Sequence, residues 1–190
     1  MGYDDEKIIE LINKSKLNKD INEGPIVINN NSYEFVDTYF FEDQISLKIP
    51  KEFIDMPMDI QDIKYPSVKR PQIIKTDDSN NINITLTHIK SGLTNELVGE
   101  LLKSMEKIIK KQNPLNVIYD NKTINVNEKN IGCLEFKNSA IDDFVYNLMF
   151  FFEFKKETIM GNFVCPFNEH DVWKKVALDI VKSVRVKEEE

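Results

Sequence analysis

The 190-residue chain has little arginine. Its 25 basic residues are lysines apart from Arg70 and Arg185, and 32 acidic residues outnumber them, which gives a formal net charge of −7. Arginine supplies the planar fork that binds phosphate through two hydrogen bonds. Because nucleic-acid-binding proteins need a strongly basic face, this composition argues against nucleic acid as a partner.

Cysteine and histidine occur only twice each. Cys133 and Cys165 are far apart in sequence and form no CxxC pair, so the pattern indicates neither a redox motif nor a zinc cluster. We expect two buried, reduced thiols, with a disulfide as the alternative if their strands pair. His88 and His170 have no second His or Cys at ligand spacing, so we expect no metal site and no catalysis by histidine.

Long apolar runs are also missing, and no stretch reaches the roughly 18 residues that a membrane span requires. Residues 1–16 read MGYDDEKIIELINKSK, with acids where a signal peptide needs bases. We therefore predict a cytoplasmic protein without a membrane span. The abundance of Lys, Asn and Ile favours an AT-rich bacterial genome.

The familiar catalytic motifs GxGxxG, GxSxG, HExxH and the Walker loop are absent. The stretch from Asp77 to Asn81 resembles the start of a calcium loop, but Ile82 stands where the loop requires glycine. We interpret it as a hairpin turn. Two other acidic groups are interpreted as hydrated loop residues, with a hard cation as the alternative: Asp55 with Asp59 and Asp62, and Asp142 with Asp143. We expect no cofactor and no enzymatic activity.

Three segments carry a helical period. The strongest begins after Thr94, ends at Asn113-Pro114, and has apolar residues at helical spacing. These are Leu97, Leu101, Met105 and Ile108, with Leu102 and Ile109 widening the stripe. A second helix is predicted over residues 168–182 and a short one over residues 4–17. Residues 18–32 combine Gly24-Pro25 with three asparagines and are interpreted as a linker.

Strand patterns occupy most of the remaining chain. Alternating residues and turn clusters predict hairpins over 33–50 and 71–89. Further strands are predicted over 116–127 (broken at Asp120-Asn121), 131–137, 144–154 and 159–165, the last two joined by a short hairpin connection. Residues 51–64 are consistent with a loop or one short helical turn. The sheet is expected to be mostly antiparallel.

The segment NLMFFFEF, residues 147–154, is the most apolar stretch in the chain. In a strand, Leu148, Phe150 and Phe152 point to one face while Met149 and Phe151 point to the other. We expect this to be a central strand whose two faces are covered by the two main helices. The alternative is an exposed apolar binding patch, which consists of Tyr39, Phe41, Met149 and Phe151.

The order of elements resembles the PsbP-like fold, which is shared with Mog-type Ran-binding import factors and bacterial DcrB-like proteins. The resemblance rests on YEFVDTYFFEDQISLKIPKEF, YPSVKRPQIIKTDDSNNINITL and the closing FVCPFNEHDVWKKVALDIVKSVRV. It implies an α+β protein: an α/β/α sandwich with a mostly antiparallel sheet flanked by two main helices, here with a short N-terminal helix. It divides the chain into an extension, residues 1–32, and a PsbP-like domain, residues 33–187.

This resemblance implies relatives that act mainly by binding proteins. The leading hypothesis is a non-catalytic, cytoplasmic protein-binding or chaperone-like module. The alternative is a small-molecule-binding protein or enzyme with a pocket between sheet and helix. A third hypothesis is a homodimer formed through residues 1–17.

Overall fold

A computed structural model describes residues 19–139 and 143–187; the helix predicted over residues 4–17 lies outside these ranges. The described chain is α+β, with three α-helices and antiparallel strand pairs. It forms two compact units, one of residues 19–52 with 172–187 and a larger one of residues 53–139 with 143–171. The α/β/α sandwich itself stays a prediction.

Helices and strands are numbered in chain order. The strands are β1 Ile26–Ile28, β2 Asn31–Tyr33, β3 Phe35–Phe40, β4 Ile45–Pro50, β5 Ile54–Asp55, β6 Ile73–Thr76, β7 Asn83–Ile89, β8 Val117–Val126, β9 Lys129–Ser139, β10 Phe144–Phe154, β11 Glu157–Pro166 and β12 Arg185–Val186. The helices are α1 Met58–Lys64, α2 Val98–Gln112 and α3 His170–Lys182, and two 3-10 turns span Asn95–Leu97 and Phe167–Glu169.

The larger unit contains a seven-stranded sheet in the order β5-β6-β7-β11-β10-β9-β8. The predicted 71–89 hairpin is confirmed as β6 and β7, and the connection after NLMFFFEF is confirmed as a tight turn between β10 and β11. Lys155 and Lys156 form that turn with φ of 53° and 61°. Positive φ at both central residues is the geometry that matches the twist of a two-residue hairpin.

The strand β10 is buried on both faces, as its sequence predicts. Leu148, Phe150 and Phe152 on one face are 0% exposed, and Phe151 on the other is 1% exposed. Helix α2 packs on the Phe151 face, where Val98, Leu102 and Ile109 join the same apolar cluster. The prediction that helix α2 covers one face of this strand is confirmed.

The smaller unit is built on a three-stranded sheet in the order β12-β4-β3, which confirms the predicted 33–50 hairpin. Its apolar face consists of Ile45, Leu47 and Ile49, none more than 2% exposed. Helix α3, predicted over 168–182, belongs largely to this unit, where Trp173 meets Tyr33 edge-on with ring centroids 5.1 Å apart.

Three local predictions need correction. Residues 18–32 are interpreted as a linker, but the β1–β2 hairpin begins within them at Ile26 and ends at Tyr33; Ile26 and Ile28 are buried because alternate residues of β1 point inward. Strand β8 is continuous, with a bulge near Tyr119 in place of the predicted break. Helix α2 begins at Val98 after a 3-10 turn, and Thr94 makes no side-chain capping hydrogen bond. Residues 51–64 are consistent in sequence with a loop or one short helical turn, and the structure forms α1 over residues 58–64.

Candidate functional site

An apolar groove lies in the larger unit, between α2 and the part of the sheet formed by β7 and β11. Its volume is about 390 Å³, which is within the range of ligand sites. The groove is lined by Ile89, Ser91, Gly92, Leu93, Leu101, Met105, Phe151, Thr158 and Met160. We call these residues the α2 groove.

The groove exists because one helix cannot cover seven strands. Helix α2 contacts β8, β9 and β10, so it leaves the β7 and β11 side of the same sheet face less covered. Pairing of Thr158 with Ile89 puts these two side chains next to each other on that face, and Met160 follows two residues along. The floor of the groove is therefore a sheet surface that the helix does not reach.

Asparagine side chains hold α2 at both ends. At the start, the Asn95 Oδ1 accepts a 2.7 Å hydrogen bond from the Asn130 backbone N–H, and the Asn95 Nδ2 donates to the Glu128 carbonyl oxygen at 3.1 Å. At the end, the Asn116 Nδ2 donates to the Ile109 carbonyl oxygen at 3.0 Å. These bonds tie the helix to the β8–β9 side of the sheet, so the wall of the groove has a fixed position.

The sheet covers only part of the apolar arc of α2. Val98, Leu102 and Ile109 are buried, whereas Leu97 and Ile108 are 41% and 44% exposed. Residues 97, 101, 105 and 108 lie along one side of the helix, so Leu97, Leu101, Met105 and Ile108 form an apolar ridge that borders the groove. Within the stripe that the sequence predicts, Leu102 and Ile109 are thus buried, whereas Leu97 and Ile108 lie at its exposed margin.

The polar groups of the groove are two hydroxyls. Ser91 Oγ and Thr158 Oγ1 lie 2.6 Å apart and satisfy each other. On the outer side of the apolar ridge, α2 presents Lys107 and Lys111, both exposed. The groove is therefore apolar inside, and one margin carries Lys107 and Lys111 near the C-terminal end of α2 and Glu100 near its start.

The four residues predicted as a binding patch have different environments. Phe151 is 1% exposed, so the exposure predicted for it is wrong, because α2 covers its face of β10; its ring nevertheless lines the α2 groove. Met149 is partly buried and packs against the same apolar cluster. Tyr39 is 57% exposed on β3, and Phe41 is partly buried in the turn after β3, with φ of 52°.

The acidic groups considered as cation sites are engaged in local structure. Asp77 Oδ1 accepts hydrogen bonds from the backbone N–H groups of Asn81 and Ile82 at 3.0 and 2.9 Å, which confirms the hairpin turn.

Two of the other acidic residues considered as cation ligands form ion pairs. Asp55 pairs with Lys75 at 2.8 Å, and Asp62 pairs with Arg70 at 2.7 Å. Asp142 lies outside the described residues. Within the described ranges, no group of three or more His, Cys, Asp or Glu side chains has the geometry of a metal site.

The histidines and cysteines also have structural surroundings. His88 Nε2 lies 2.6 Å from a Glu157 carboxylate oxygen, and the His170 ring stacks on Phe167 with centroids 4.4 Å apart. Cys133 and Cys165 are buried free thiols on β9 and β11, which lie on either side of β10, so the predicted reduced state is confirmed and the alternative disulfide is not formed.

Burial raises the pKa of the Cys133 thiol to about 12, although the Lys122 ammonium opposes that shift. It raises the pKa of Cys165 as well. A thiol nucleophile has to ionise near neutral pH, and both shifts act against ionisation.

Sequence reasoning missed Ile89, Leu93 and Met160 as site residues. They belong to a strand, a loop and another strand, and nothing in their spacing connects them. The one available signal was the wide apolar arc of α2, which exceeds what a single sheet contact requires.

No family model matches the chain, and no curated protein matches its sequence. Each helix within residues 19–139 and 143–187 falls short of the length and apolar character that a bilayer span requires. Structural similarity therefore provides the comparison with known proteins.

The structure is similar to the cyanobacterial PsbP (CyanoP) of Synechocystis sp. PCC 6803, with a TM-score of 0.59 and 13% identity over 80% of this chain and 92% of that one. It is also similar to LpqN of Mycobacterium tuberculosis, which is described as involved in cell envelope biogenesis, with a TM-score of 0.53 and 12% identity over 85% and 95%. At these identities the similarity concerns the fold, and it confirms that this chain has the PsbP-like fold its sequence predicts.

Proposed function

We propose that this protein is a non-catalytic binding module that holds an apolar segment of a partner protein in the α2 groove. The observation that carries the proposal is the apolar surface formed by Leu101, Met105 and Met160, which remains open beside a fully packed core. Burying such side chains against a partner is favourable by about 25 cal/mol per Å². Methionine is unbranched and adapts to differently shaped partners.

The length of the apolar ridge favours a polypeptide over a compact ligand. From Leu97 to Ile108 the ridge extends over eleven residues, about 16 Å at the rise of an α-helix. Because Leu97 and Ile108 are exposed beyond the ends of the groove, an extended occupant gains contacts that a small molecule does not. An amphipathic segment can place several apolar side chains along such a surface.

Charge indicates what should flank those apolar side chains. Lys107 and Lys111 lie along the outer margin of the ridge, near the C-terminal end of α2. Acidic residues in the partner would be steered toward them. We therefore expect apolar anchors with Asp or Glu at one side.

The chemistry of the groove supports binding rather than catalysis. Its polar groups, Ser91 and Thr158, are hydrogen-bonded to each other. A hydroxyl becomes a nucleophile when a neighbouring base accepts its proton, and the groove lining holds no histidine or carboxylate for that purpose.

We also propose that the module works in the cytoplasm. The two buried free thiols support this location, since thiols stay reduced there. Fractionation of host cells is the direct measurement, and recovery of the protein with the envelope would contradict it.

Peptide selection tests the main proposal. A phage-displayed library of 12-residue peptides is selected on the immobilised full chain, and the enriched peptides are synthesised and titrated. We expect apolar side chains flanked by acids, and we expect Leu101→Glu to weaken binding at least tenfold because it places a charge against the apolar surface.

Leu115→Glu is the matched control, because Leu115 is 74% exposed and is not among the groove residues. It should change the affinity less than twofold. Failure to enrich any peptide, or equal losses in the two variants, would show that the groove does not bind polypeptide.

The alternative is an apolar small molecule in the same site, and the position and volume of the groove favour it as second candidate. It predicts that 1-decanol raises the melting temperature of the full chain and that Leu101→Glu abolishes the rise. Absence of any shift at saturating decanol would remove this alternative.

A further inference from the structure

A second cavity lies wholly within the smaller unit and is polar. Its volume is about 340 Å³. It is lined by Asp20, Asn22, Asp37, Tyr39, Ser46, Lys48, Asp179, Lys182, Ser183 and Arg185. We call it the Tyr39 pocket, and its chemistry is unlike that of the α2 groove.

A row of side chains across three strands forms one side of the pocket. Ser46 on β4 pairs with Tyr39 on β3 and with Arg185 on β12, so the three side chains lie on the same sheet face. Ser46 is small and 9% exposed, whereas Tyr39 is 57% exposed. The Tyr39 ring and the Arg185 side chain therefore flank a low floor at Ser46.

Several charged groups of the lining are already paired. Three aspartates and three cations line the pocket, and Lys175, which pairs with Asp179, adds a fourth cation beside it. The two Asp179 oxygens accept hydrogen bonds from Lys175 at 2.9 Å and Lys182 at 3.3 Å. An ionic ligand would have to compete with these pairs.

The acidic and the basic side chains of the lining can form further hydrogen bonds beyond these pairs. Each carboxylate oxygen has more than one acceptor site, and ammonium and guanidinium groups carry several donors. Arg185 Nη1 donates to the Val184 carbonyl oxygen at 2.9 Å, while a guanidinium has five N–H donors in total. A neutral ligand rich in hydroxyls can use these donors and acceptors without separating the existing ion pairs.

We propose that the Tyr39 pocket binds a neutral, polyhydroxylated ligand of the saccharide class. Each sugar hydroxyl donates and accepts, which matches the mixed lining, and the C–H face of a sugar ring can pack on the exposed Tyr39 ring. Tyrosine suits this role because it combines an apolar body with a polar tip. This site is additional to the proposed function and does not depend on it.

Two-dimensional NMR of the full chain tests the proposal, with trehalose and methyl α-D-glucopyranoside as probes. We expect saturable shifts at the backbone amides of Tyr39, Ser46 and Arg185, with millimolar dissociation constants. Tyr39→Ala should weaken binding at least tenfold, whereas Tyr39→Phe, which keeps the ring, should change it less than threefold.

Tyr119→Ala is the control, because Tyr119 is a 46% exposed tyrosine in the larger unit. It should leave the affinity unchanged. The proposal is overturned if neither sugar saturates the shifts by 50 mM, if inorganic phosphate or glutamate produces them instead, or if Tyr39→Ala binds as well as the wild type.

Discussion

Two glycines in the large sheet make room for phenylalanine rings. Gly132 pairs with Phe151 and Gly161 pairs with Phe150 across β10. A Cβ at Gly132 would lie 2.5 Å from the Phe151 ring, and a Cβ at Gly161 would overlap the Phe150 ring. Both rings are almost fully buried, so they cannot move aside without disturbing the core.

Because the rings lie so close, even a methyl group added at either glycine should destabilise the protein. We expect Gly132→Ala and Gly161→Ala each to lower the free energy of unfolding by about 1–3 kcal/mol, the usual effect of overpacking. Urea denaturation measures it. Gly92→Ala is the control, because nothing lies within 4 Å of its added Cβ; a loss there as large as at Gly132 would contradict the explanation.

The two thiols provide a second prediction for single residues. Because burial raises the pKa of Cys133 to about 12 and also raises that of Cys165, we expect no reaction with Ellman's reagent at pH 8 in the native protein. Two thiols should react after denaturation in urea. Rapid reaction of the native protein would show that at least one thiol is accessible.

At the scale of elements, helix α2 shows what periodicity can and cannot determine. The sequence predicted the helix and its end at Asn113, but the predicted stripe includes the exposed Leu97 and Ile108 as well as the buried Leu102 and Ile109. An apolar arc that spans more than one row of residues does not itself show which row meets the sheet. Contacts with Leu134, Phe136 and Phe151 decide that Val98, Leu102 and Ile109 are buried.

Shortening one side chain from the buried row of α2 and one from the exposed row tests this assignment. Leu102→Ala should lower the free energy of unfolding by about 2–4 kcal/mol, because Leu102 is 5% exposed and its removal leaves a cavity. Ile108→Ala, at a 44% exposed position of the same helix, should cost less than half as much. Urea denaturation of both variants distinguishes them, and the reverse order would support the sequence-based stripe.

The β10–β11 hairpin carries a pH-dependent contact. Burial acts to raise the pKa of Glu153, but hydrogen bonds from the Lys129 ammonium at 2.6 Å and the Lys156 backbone N–H at 2.7 Å outweigh it, and the net pKa is lowered from 4.5. A lowered folded-state pKa stabilises the protein above the unfolded-state value. That stability is lost as the pH falls through the folded-state value.

Glu153→Gln should therefore destabilise the protein at pH 7 by about 1–2 kcal/mol. The difference from wild type should shrink as the pH falls below about 4.5. Urea denaturation at several pH values measures it, with the exposed Glu52→Gln as control. A difference that is constant from pH 7 to pH 3 would contradict the electrostatic explanation.

At the scale of the whole molecule, the dimer hypothesis for residues 1–17 stays a prediction. It requires a solution mass of twice 22.2 kDa, which light scattering measures directly. Deletion of residues 1–17 should then halve the mass because the contact is lost. A mass that is unchanged by the deletion would dispose of this dimer.

Local sequence patterns were enough to predict most of the helices and strands and the PsbP-like fold. Alternation along residues 144–154 and the helical period after Thr94 are local patterns, so each can be recognised from a short stretch of sequence. The order of those elements then sufficed to indicate the PsbP-like fold. The absence of the familiar catalytic motifs and the net negative charge also follow directly from the sequence.

The two cavities proposed as sites are products of the tertiary structure. The α2 groove joins Ile89, Leu101 and Met160 from three separate elements, and the Tyr39 pocket joins residues from Asp20 to Arg185. Such cavities depend on which part of a sheet a helix leaves uncovered and on the register of paired strands. These are long-range relations, and no short stretch of sequence specifies them.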